Sequence, residues 1–460
     1  MKQTTRLRAA WVLPISGDPI EDGEVIIEGD CIAEVRSASG RLSSETRDFG
    51  DAILMPGLIN VHTHLDYTVF RGLLEDTSFF AWIRDLMQKK ALLEWEDWQA
   101  SATWGAAEAV SGGVTTLGDC TDSGAALYGA KALGMRGIIY QEVFGMDESQ
   151  TPNAIVKELQ GKVAQLQQDS AGTLLRVGVS PHAPYTVRAA LFEALADYAH
   201  KNALPVCIHA AESLAEGELF QSGKGIIGEM FVRRGIAWNP PQESTVSYLA
   251  KFGILDREAM LVHGVQVSAS DRHPIREHDV AWAHCPKSNA KLGVGIAPLG
   301  LLGGRQEDGT GSWTTRMGLG SDSVASNNTM DMFEEMRFAV LMQRGARRQV
   351  HAMTAKDAVE MATLGGARAL RLENEIGSLE AGKRADICAV QLNALHSIPA
   401  YNPYSALVYA SRASDVVFTM IGGETRYDAQ NSLDFYERFP TVDVRALRDG
   451  VRAGVEKLRG

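Results

Sequence analysis

The chain has 460 residues, of which 45% are hydrophobic and 22% are charged. This is the composition of a globular protein, and it excludes a largely disordered chain. Asp and Glu (57 residues) outnumber Lys and Arg (45 residues), and the net charge of −12 argues against nucleic acid as a partner. No apolar run reaches the roughly 18 residues that a membrane span needs, so we expect no membrane association.

The start of the chain and its cysteines bear on where the protein works. The first six residues, Met-Lys-Gln-Thr-Thr-Arg, have no apolar signal core behind them. The five cysteines are scattered without a Cys-x-x-Cys pair, which suits a reducing compartment. Both observations predict a cytoplasmic protein.

Strands and helices are predicted in a regular order along the chain. Short strands are expected in the first 55 residues, where alternating segments such as 23–30 are followed by turn residues. From residue 53 onward, short apolar runs with polar ends alternate with longer amphipathic stretches, and segments 187–202 and 329–343 have helical periodicity. Strand-then-helix units repeated over about 300 residues favour a parallel (β/α)8 barrel. After residue 370 strand-like segments return, and the tail 441–459 is predicted to be helical.

The predicted organisation is an α/β protein with two units. We expect a barrel domain over residues 56–370. A smaller β domain is expected from residues 1–55 together with residues 371–460, since the two ends of a domain often lie close together.

Polar residues lie at the carboxyl ends of the successive apolar runs, and in a barrel of this type those ends open onto one face. His62 and His64 alternate on the first strand, so both imidazoles point the same way and can reach one metal ion. A single histidine at such a position is more often a capping or core residue. Here, however, six of the eleven histidines and one aspartate share this placement, which chance explains poorly: His62, His64, His182, His209, His263, His284 and Asp322.

Segment 56–64, Pro-Gly-Leu-Ile-Asn-Val-His-Thr-His, resembles the first-strand signature of the amidohydrolase superfamily. His209 with Glu212, His263 and segment 320–323 are similar to later strand ends of that family. Segment 376–386 resembles the stretch with which these chains re-enter their β-sandwich. The resemblance implies a distorted (β/α)8 TIM barrel with a β-sandwich domain formed by both the N-terminal and the C-terminal flanks.

The resemblance also implies a metal site. His62, His64, His209 and Asp322 would bind one divalent ion, because the fourth-strand run 174–182 lacks the lysine that binuclear members use. This mixture of nitrogen and oxygen ligands suits Zn²⁺ best, although Fe²⁺ would fit as well.

Roles for the reacting groups follow from the same resemblance. Glu212 would donate a proton to the substrate ring and then pass one to the departing amine. His263 and Asp322 would orient the attacking water and take its proton. His182 would contact the base, and Trp82 would cover it as part of a lid.

Glu212 also points to a branch of the superfamily, because a glutamate three residues after this histidine is typical of enzymes that hydrolyse an amine from a heteroaromatic ring. Segments 180–185, 284–293 and 323–337 are similar to deaminases of S-adenosylhomocysteine, methylthioadenosine and aminodeoxyfutalosine. Segment 209–213 looks closest to the aminodeoxyfutalosine type. The resemblance thus implies hydrolytic release of ammonia from a small amino-heteroaromatic substrate, a 6-aminopurine nucleoside or analogue.

Two positions depart from that branch and leave the exact substrate open. Ala91 stands where a glutamate would hold the ribose hydroxyls, so that Glu94 or Glu96 could serve only after a shift. Gln141 stands where an arginine would grip the substrate tail. Guanine-type or pterin-type deamination and triazine (chloro)hydrolysis therefore stay open as alternatives on the same metal site.

A non-catalytic scaffold of the same fold is a further alternative, but its sign would be lost ligands, and all the ligands are present. Members of the superfamily often form dimers, and the sequence leaves open whether this chain is a homo-oligomer. Segment 303–316, rich in Gly, Thr and charged residues, has no function that we can assign. Asp66 and Glu75 are interpreted as solvated charges, and Asp119 as a loop or supporting residue.

Overall fold

The computed structural model describes residues 4–38, 46–77, 79–256, 258–303 and 315–459. Within these ranges the strands form two eight-stranded sheets. In chain order the strands are β1 (Thr4–Val12), β2 (Ile20–Glu28), β3 (Cys31–Ser37), β4 (Thr46–Asp48), β5 (Ala52–Pro56), β6 (Leu58–Thr63), β7 (Val114–Thr121), β8 (Arg136–Val143), β9 (Leu175–Pro181), β10 (Val206–Ala210), β11 (Ala259–His263), β12 (Ala281–His284), β13 (Met317–Leu319), β14 (Ile387–Gln391), β15 (Val416–Ile421) and β16 (Glu424–Asp428).

Helices connect most of these strands. They are α1 (Phe79–Lys90), α2 (Trp95–Ser111), α3 (Ala125–Ala132), α4 (Pro152–Asp169), α5 (Ala189–Asn202), α6 (Leu214–Ser222), α7 (Gly225–Arg233), α8 (Thr245–Ala250), α9 (Arg272–Glu277), α10 (Pro286–Lys291), α11 (Val324–Asn327), α12 (Met332–Arg347), α13 (Ala355–Met361), α14 (Leu364–Ala369), α15 (Pro403–Ser405) and α16 (Val444–Arg459). A 3₁₀ helix, Leu65–Phe70, follows β6 directly. None of the helices in the described parts of the chain is long and apolar enough to cross a bilayer.

Strands β6 to β13 form the barrel, and each pairs in parallel with its neighbours in chain order. The barrel closes where the Asp322 backbone N–H donates to the His62 carbonyl at 2.9 Å. The segment after β13 thereby brings Asp322 beside His62 and His64 at the end of β6. The predicted (β/α)8 barrel is confirmed.

The other sheet combines the two flanks of the chain, in the order β16-β15-β14-β5-β1-β2-β3, with β4 beside β1. Strand β14 pairs antiparallel with β5, from Ile387 opposite Pro56 to Gln391 opposite Ala52. The prediction that both flanks build one β unit is therefore confirmed. A buried ion pair, Arg136 Nε to Asp386 Oδ2 at 2.8 Å, ties this sheet to the barrel. The exact domain boundaries stay a prediction.

Side chains two residues apart share a face of a strand, and the barrel interior is filled in this way. Ile138 and Tyr140 on β8, like Met260 and Val262 on β11, belong to one buried apolar cluster. Cys207 on β10 belongs to the same cluster, and His209 is the next residue of its row. The inward-facing rows thus end in polar groups at the carboxyl mouth of the barrel.

The predicted helices are confirmed: segments 187–202, 329–343 and 441–459 correspond to α5, α12 and α16. Helix α5 buries Leu191, Phe192 and Leu195 on one face, as expected of a helix that covers a sheet. Strand β8 was not predicted, because polar residues begin and end it. Segment 303–316, to which the sequence assigned no function, lies mostly outside the described residues.

Candidate active site

Three imidazoles meet at the carboxyl mouth of the barrel. His62 and His64 come from β6 and the turn after it, and His209 comes from β10. Each residue offers one ring nitrogen, and these three nitrogens lie within 4.8 Å of one another. The ring centroid of His62 lies 5.0 Å from that of His64 and 4.9 Å from that of His209. All three residues are buried. The structure therefore brings together the three predicted histidine ligands.

Asp322 completes this cluster from the end of the last barrel strand. Its Oδ1 lies 3.5 Å from His62 Nε2 and 3.6 Å from His64 Nε2. Two ligand atoms bound about 2.1 Å from a tetrahedral ion lie about 3.4 Å apart, so this spacing suits a shared ion. Oδ2 accepts hydrogen bonds from Ser288 Oγ at 2.6 Å and Ser326 Oγ at 3.1 Å, which hold the carboxylate in place.

The donor atoms of the cluster fit a divalent metal ion. His62 Nε2 is buried and has no hydrogen-bond partner among the described residues, although a buried polar atom without a partner is costly. His209 Nδ1 donates to the His182 carbonyl at 2.9 Å, which leaves Nε2 deprotonated and free to bind metal. Neutral imidazoles and a carboxylate are the ligands that such ions take in proteins.

Glu212 and His263 lie next to the cluster and are buried. Glu212 Oε1 is 3.6 Å from His263 Nε2, and His263 Nδ1 is 2.9 Å from Asn289 Oδ1. Burial, reinforced by the carboxylates of Asp322 and Glu216, raises the pKa of Glu212 well above its usual range. Burial lowers the pKa of His263 to about 4. The pair therefore combines a carboxyl group that can hold a proton with a neutral imidazole.

Glu216, which the sequence analysis missed, fixes the backbone that presents Glu212. Its two carboxylate oxygens accept hydrogen bonds from the backbone N–H groups of Ala211 and Glu212, both at 2.9 Å. Ala211 has a φ of 53°, a strained conformation for a residue with a side chain. Glu216 thus holds the sharp turn that aims Glu212 at the cluster.

His182 and Trp82 both line a cavity beside the cluster. The His182 ring lies 4.8 Å from that of His209 and 4.7 Å from that of Phe144. Its Nδ1 is 2.9 Å from Thr186 Oγ1, and burial lowers its pKa to about 3. Trp82 lies on α1 and is mostly buried. Both residues lie where contact with a substrate is geometrically feasible.

The cavity has a volume of about 1100 Å³, enough for a nucleoside with a sizeable substituent. His64, His209, Glu212, His263 and Asp322 contribute to its lining. Lys90, Asp122 and Glu142 also line it, and the sequence analysis identified none of these three. Asp122 and Glu142 stand two residues after the inward-facing Cys120 and Tyr140, so strand alternation was the signal that could have found them.

Several other predicted residues lie elsewhere. Glu94 and Glu96 are exposed and are not part of the cavity lining. Gln141 is buried behind the cavity wall, where its amide donates to the backbone carbonyls of Asp122 at 3.0 Å and Thr121 at 3.2 Å. Gln141 therefore does not reach a substrate tail. His284 is buried outside the cavity lining, and neither ring nitrogen has a hydrogen-bond partner within the described ranges.

Asp66 was interpreted as a solvated charge, and this was wrong. The carboxylate is fully buried and accepts hydrogen bonds from Thr121 Oγ1 at 2.7 Å and Ser123 Oγ at 2.6 Å. The 3₁₀ helix after β6 turns Asp66 inward, which local sequence does not reveal.

Asp119 is also buried and accepts from the Leu65 backbone N–H at 2.8 Å, a supporting role as predicted. Glu75 is exposed and pairs with Lys291.

A parallel barrel whose strand ends gather a metal-binding cluster beside a buried carboxyl group defines a metal-dependent hydrolase. The sequence model of the amidohydrolase family matches residues 53–426, and the chain belongs to this family. The predicted resemblance and the prediction of a hydrolytic enzyme are confirmed.

Individual relatives agree with this assignment. A protein of Syntrophobacter fumaroxidans named 5-methylthioadenosine/S-adenosylhomocysteine deaminase is 33% identical over 416 residues, 88% of each chain. A zinc-bound adenosine deaminase of Xanthomonas campestris is 27% identical, with a TM-score of 0.84, covering 99% of this chain and 98% of that one. A zinc-bound atrazine chlorohydrolase of Arthrobacter aurescens, 21% identical with a TM-score of 0.82 over 98% of this chain and 100% of its own, shares the fold.

Proposed function

We propose that this enzyme is a metal-dependent deaminase that hydrolyses the exocyclic amine of a 6-aminopurine nucleoside or analogue and releases ammonia. The observation that carries the proposal is Glu212, a buried carboxyl group with a raised pKa, beside the cluster of His62, His64, His209 and Asp322. The names of the adenosine and methylthioadenosine deaminases among its relatives support the substrate class.

One metal ion is proposed at this cluster, held by His62, His64, His209 and Asp322. Zn²⁺ is favoured, since the ligand set suits it and the Xanthomonas relative was solved with zinc, while Fe²⁺ is the alternative. When bound, such an ion would lower the pKa of a water molecule from 15.7 to about 7.

Glu212 is proposed as the group that moves protons. In its neutral form it would donate a proton to the ring nitrogen next to the amine-bearing carbon, as the oxygen of water bonds to that carbon. The first proton that water loses would return through Glu212 to the amine, and the C–N bond would break with loss of ammonia. The second water proton would leave as the ring carbonyl forms and would restore neutral Glu212. The product carries a ring carbonyl in place of the amine, so that one water is consumed for each ammonia released.

The neighbouring residues would place the reactants. His263, held through Nδ1 by Asn289 and neutral because of burial, would orient the attacking water together with Asp322 and take part in removing its proton. His182 would hydrogen-bond the base through the ring nitrogen that does not face Thr186. Trp82 would cover the base from α1. Each of these roles requires a substrate in the cavity that these residues line.

The rival functions have less support. Triazine hydrolysis is suggested by a neighbour that is only 21% identical, a level that shows the fold alone. Guanine-type and pterin-type deamination would use the same cluster with different contacts to the ring. The cytoplasmic location and the oligomeric state stay predictions.

Ammonia release by the Zn²⁺-loaded enzyme tests the proposal. The substrates would be adenosine, methylthioadenosine, S-adenosylhomocysteine, aminodeoxyfutalosine, guanine, a pterin and an amino-triazine. We expect rapid turnover of at least one 6-aminopurine nucleoside. Turnover of guanine, the pterin or the triazine alone would show that the proposed substrate class is wrong. If the enzyme carries its full complement of metal and turns over none of the substrates, the deaminase assignment is contradicted.

A further inference from the structure

Three ionisable side chains line the cavity beside the metal-binding cluster. Lys90 ends α1, Asp122 follows β7, and Glu142 lies near the end of β8. All three line the cavity. The Lys90 side chain is 9% exposed and Glu142 is 4% exposed, so these groups belong to the cavity and not to the outer surface. None of the three has a role in the proposed deamination.

Glu142 has an oxygen atom without a partner. Its Oε1 is buried and makes no hydrogen bond to any of the described residues. Burying a polar group in this way costs free energy unless a partner arrives. Because the residue lines the cavity, a group on a bound molecule can supply this partner.

A second metal ion at Glu142 would compete with the proposed metal site for one of its ligands. Glu142, His182 and His209 do offer ligand atoms that lie within 4.8 Å of one another. However, His209 Nδ1 donates to the His182 carbonyl, so only Nε2 can bind metal, and the proposed ligand set uses it with His62 and His64. One imidazole nitrogen binds one ion, which leaves Glu142 without a metal-binding partner on β10.

Lys90 holds the neighbouring carboxylate. Its Nζ donates to Asp122 Oδ2 at 2.5 Å and to the Tyr67 hydroxyl, and it lies 4.6 Å from the centre of the Tyr67 ring. The ammonium charge is therefore already compensated by Asp122. The other oxygen of Asp122, Oδ1, has no hydrogen bond within the described part of the chain and remains free to accept one.

We propose that Asp122 and Glu142 bind the two vicinal hydroxyl groups of the ribose, and that Lys90 positions Asp122. This inference rests on the proposed function, which places the base between Glu212 and His182. Strand β8 pairs with β9 so that Glu142 lies opposite Ser180, two residues before His182. The sugar attached to the base would thus lie against β8 and β7. Hydroxyl groups donate hydrogen bonds and carboxyl oxygens accept them, whether or not the carboxyl group is ionised.

The test compares substrates that differ only in their hydroxyl groups. Kinetics of ammonia release would be measured with adenosine and 2′,3′-dideoxyadenosine, or with the corresponding 5′-substituted pair if the wild-type enzyme prefers it. The variants are Glu142→Met, which removes both acceptors at similar volume, Glu142→Gln, which keeps one, and Asp122→Asn. We expect Glu142→Met to lower kcat/KM for the ribonucleoside about 10- to 100-fold, mainly through KM. Glu142→Gln should be intermediate, and the dideoxy substrate should change less than about twofold in either Glu142 variant.

Further readouts separate this role from others. Glu142→Met should keep its metal and melt at the wild-type temperature or above, because it removes a buried polar group that lacks a partner. Glu193→Gln, an exposed substitution on α5, is the matched control. Asp122→Asn serves as the second variant if Glu142→Met does not fold.

The outcomes are distinct. An equal loss for both substrates, or loss of metal from the Glu142 variants, would overturn the ribose subsite while leaving the deaminase in place. Turnover of no nucleoside by the wild-type enzyme would overturn the proposed function, and the subsite with it.

Discussion

The two walls of the cavity differ in how their polar side chains are held. On the metal-binding side, Asp322 is fixed by two serine hydroxyls, His209 by a backbone carbonyl and His263 by Asn289. Where β7 and β8 end, next to these residues, Glu142 has a buried oxygen without a partner. The first wall is preorganised before anything binds, as groups that take part in chemistry need to be. Each side also leaves a buried atom without a partner among the described residues, His62 Nε2 on the first and Glu142 Oε1 on the second, and we propose that a metal ion and the substrate complete them.

The largest effect is expected from the metal-binding wall. His209→Ala should lose the bound metal, because the ion loses one of its four proposed ligands. Its activity should fall by at least roughly 1000-fold. Metal content by atomic emission and ammonia release would be measured together. His200→Ala, an exposed histidine on α5, is the control. Full metal occupancy in His209→Ala would show that the proposed ligand set is wrong.

Glu212→Gln sharpens the comparison by separating proton transfer from metal binding. Turnover should fall about 10²- to 10⁴-fold, the usual contribution of a general acid, because an amide cannot supply the proton. Metal content and the melting temperature should remain close to those of the wild type. If this variant turns over substrate at the wild-type rate, Glu212 does not transfer the proton.

His182→Ala should have a smaller effect, since this residue is proposed to contact the base and not the metal ion. We expect KM to rise about 10-fold with metal retained, as for the loss of one hydrogen bond to the base. Titration of metal into the apoenzyme is the accompanying measurement. A marked loss of metal affinity would show that His182 binds the metal ion and not the substrate.

The smallest effect is the contribution of Glu142 to the pH dependence of the protein's stability. Burial, together with Asp122, raises the pKa of Glu142 to about 8, while that of an unfolded glutamate is 4.5. Between these values the folded chain holds a proton that the unfolded chain has lost, so Glu142 makes the free energy of unfolding fall as pH rises, by at most about 1.4 kcal/mol per pH unit.

Glu142→Met cannot titrate and should lack this slope. Urea denaturation of the wild type and the variant at several pH values between 5 and about 8 measures the difference. Parallel pH profiles for the two proteins would show that Glu142 is ionised in the folded state throughout this range.

The barrel and the metal-binding cluster were predictable because their signals are local. An apolar run that ends in histidine can be recognised within a few residues, and His62, His64, His209 and His263 all have this form. The parallel barrel then brings such ends together whatever lies between them. Strand β8 lacked the signal, since Arg136 at its start and Glu142 near its end look like surface residues in the sequence.

The amino-acid sequence by itself determined the architecture, the residues that gather at the metal-binding cluster and the placement of Glu212 beside it. Tertiary structure alone decided that Asp66 is buried, that Gln141 faces the backbone and that Lys90 reaches Asp122 from a different element. The physical reason is that burial and pairing depend on residues distant in the chain. A polar or charged side chain looks solvent-exposed in the sequence until the neighbouring strands and helices are in place around it.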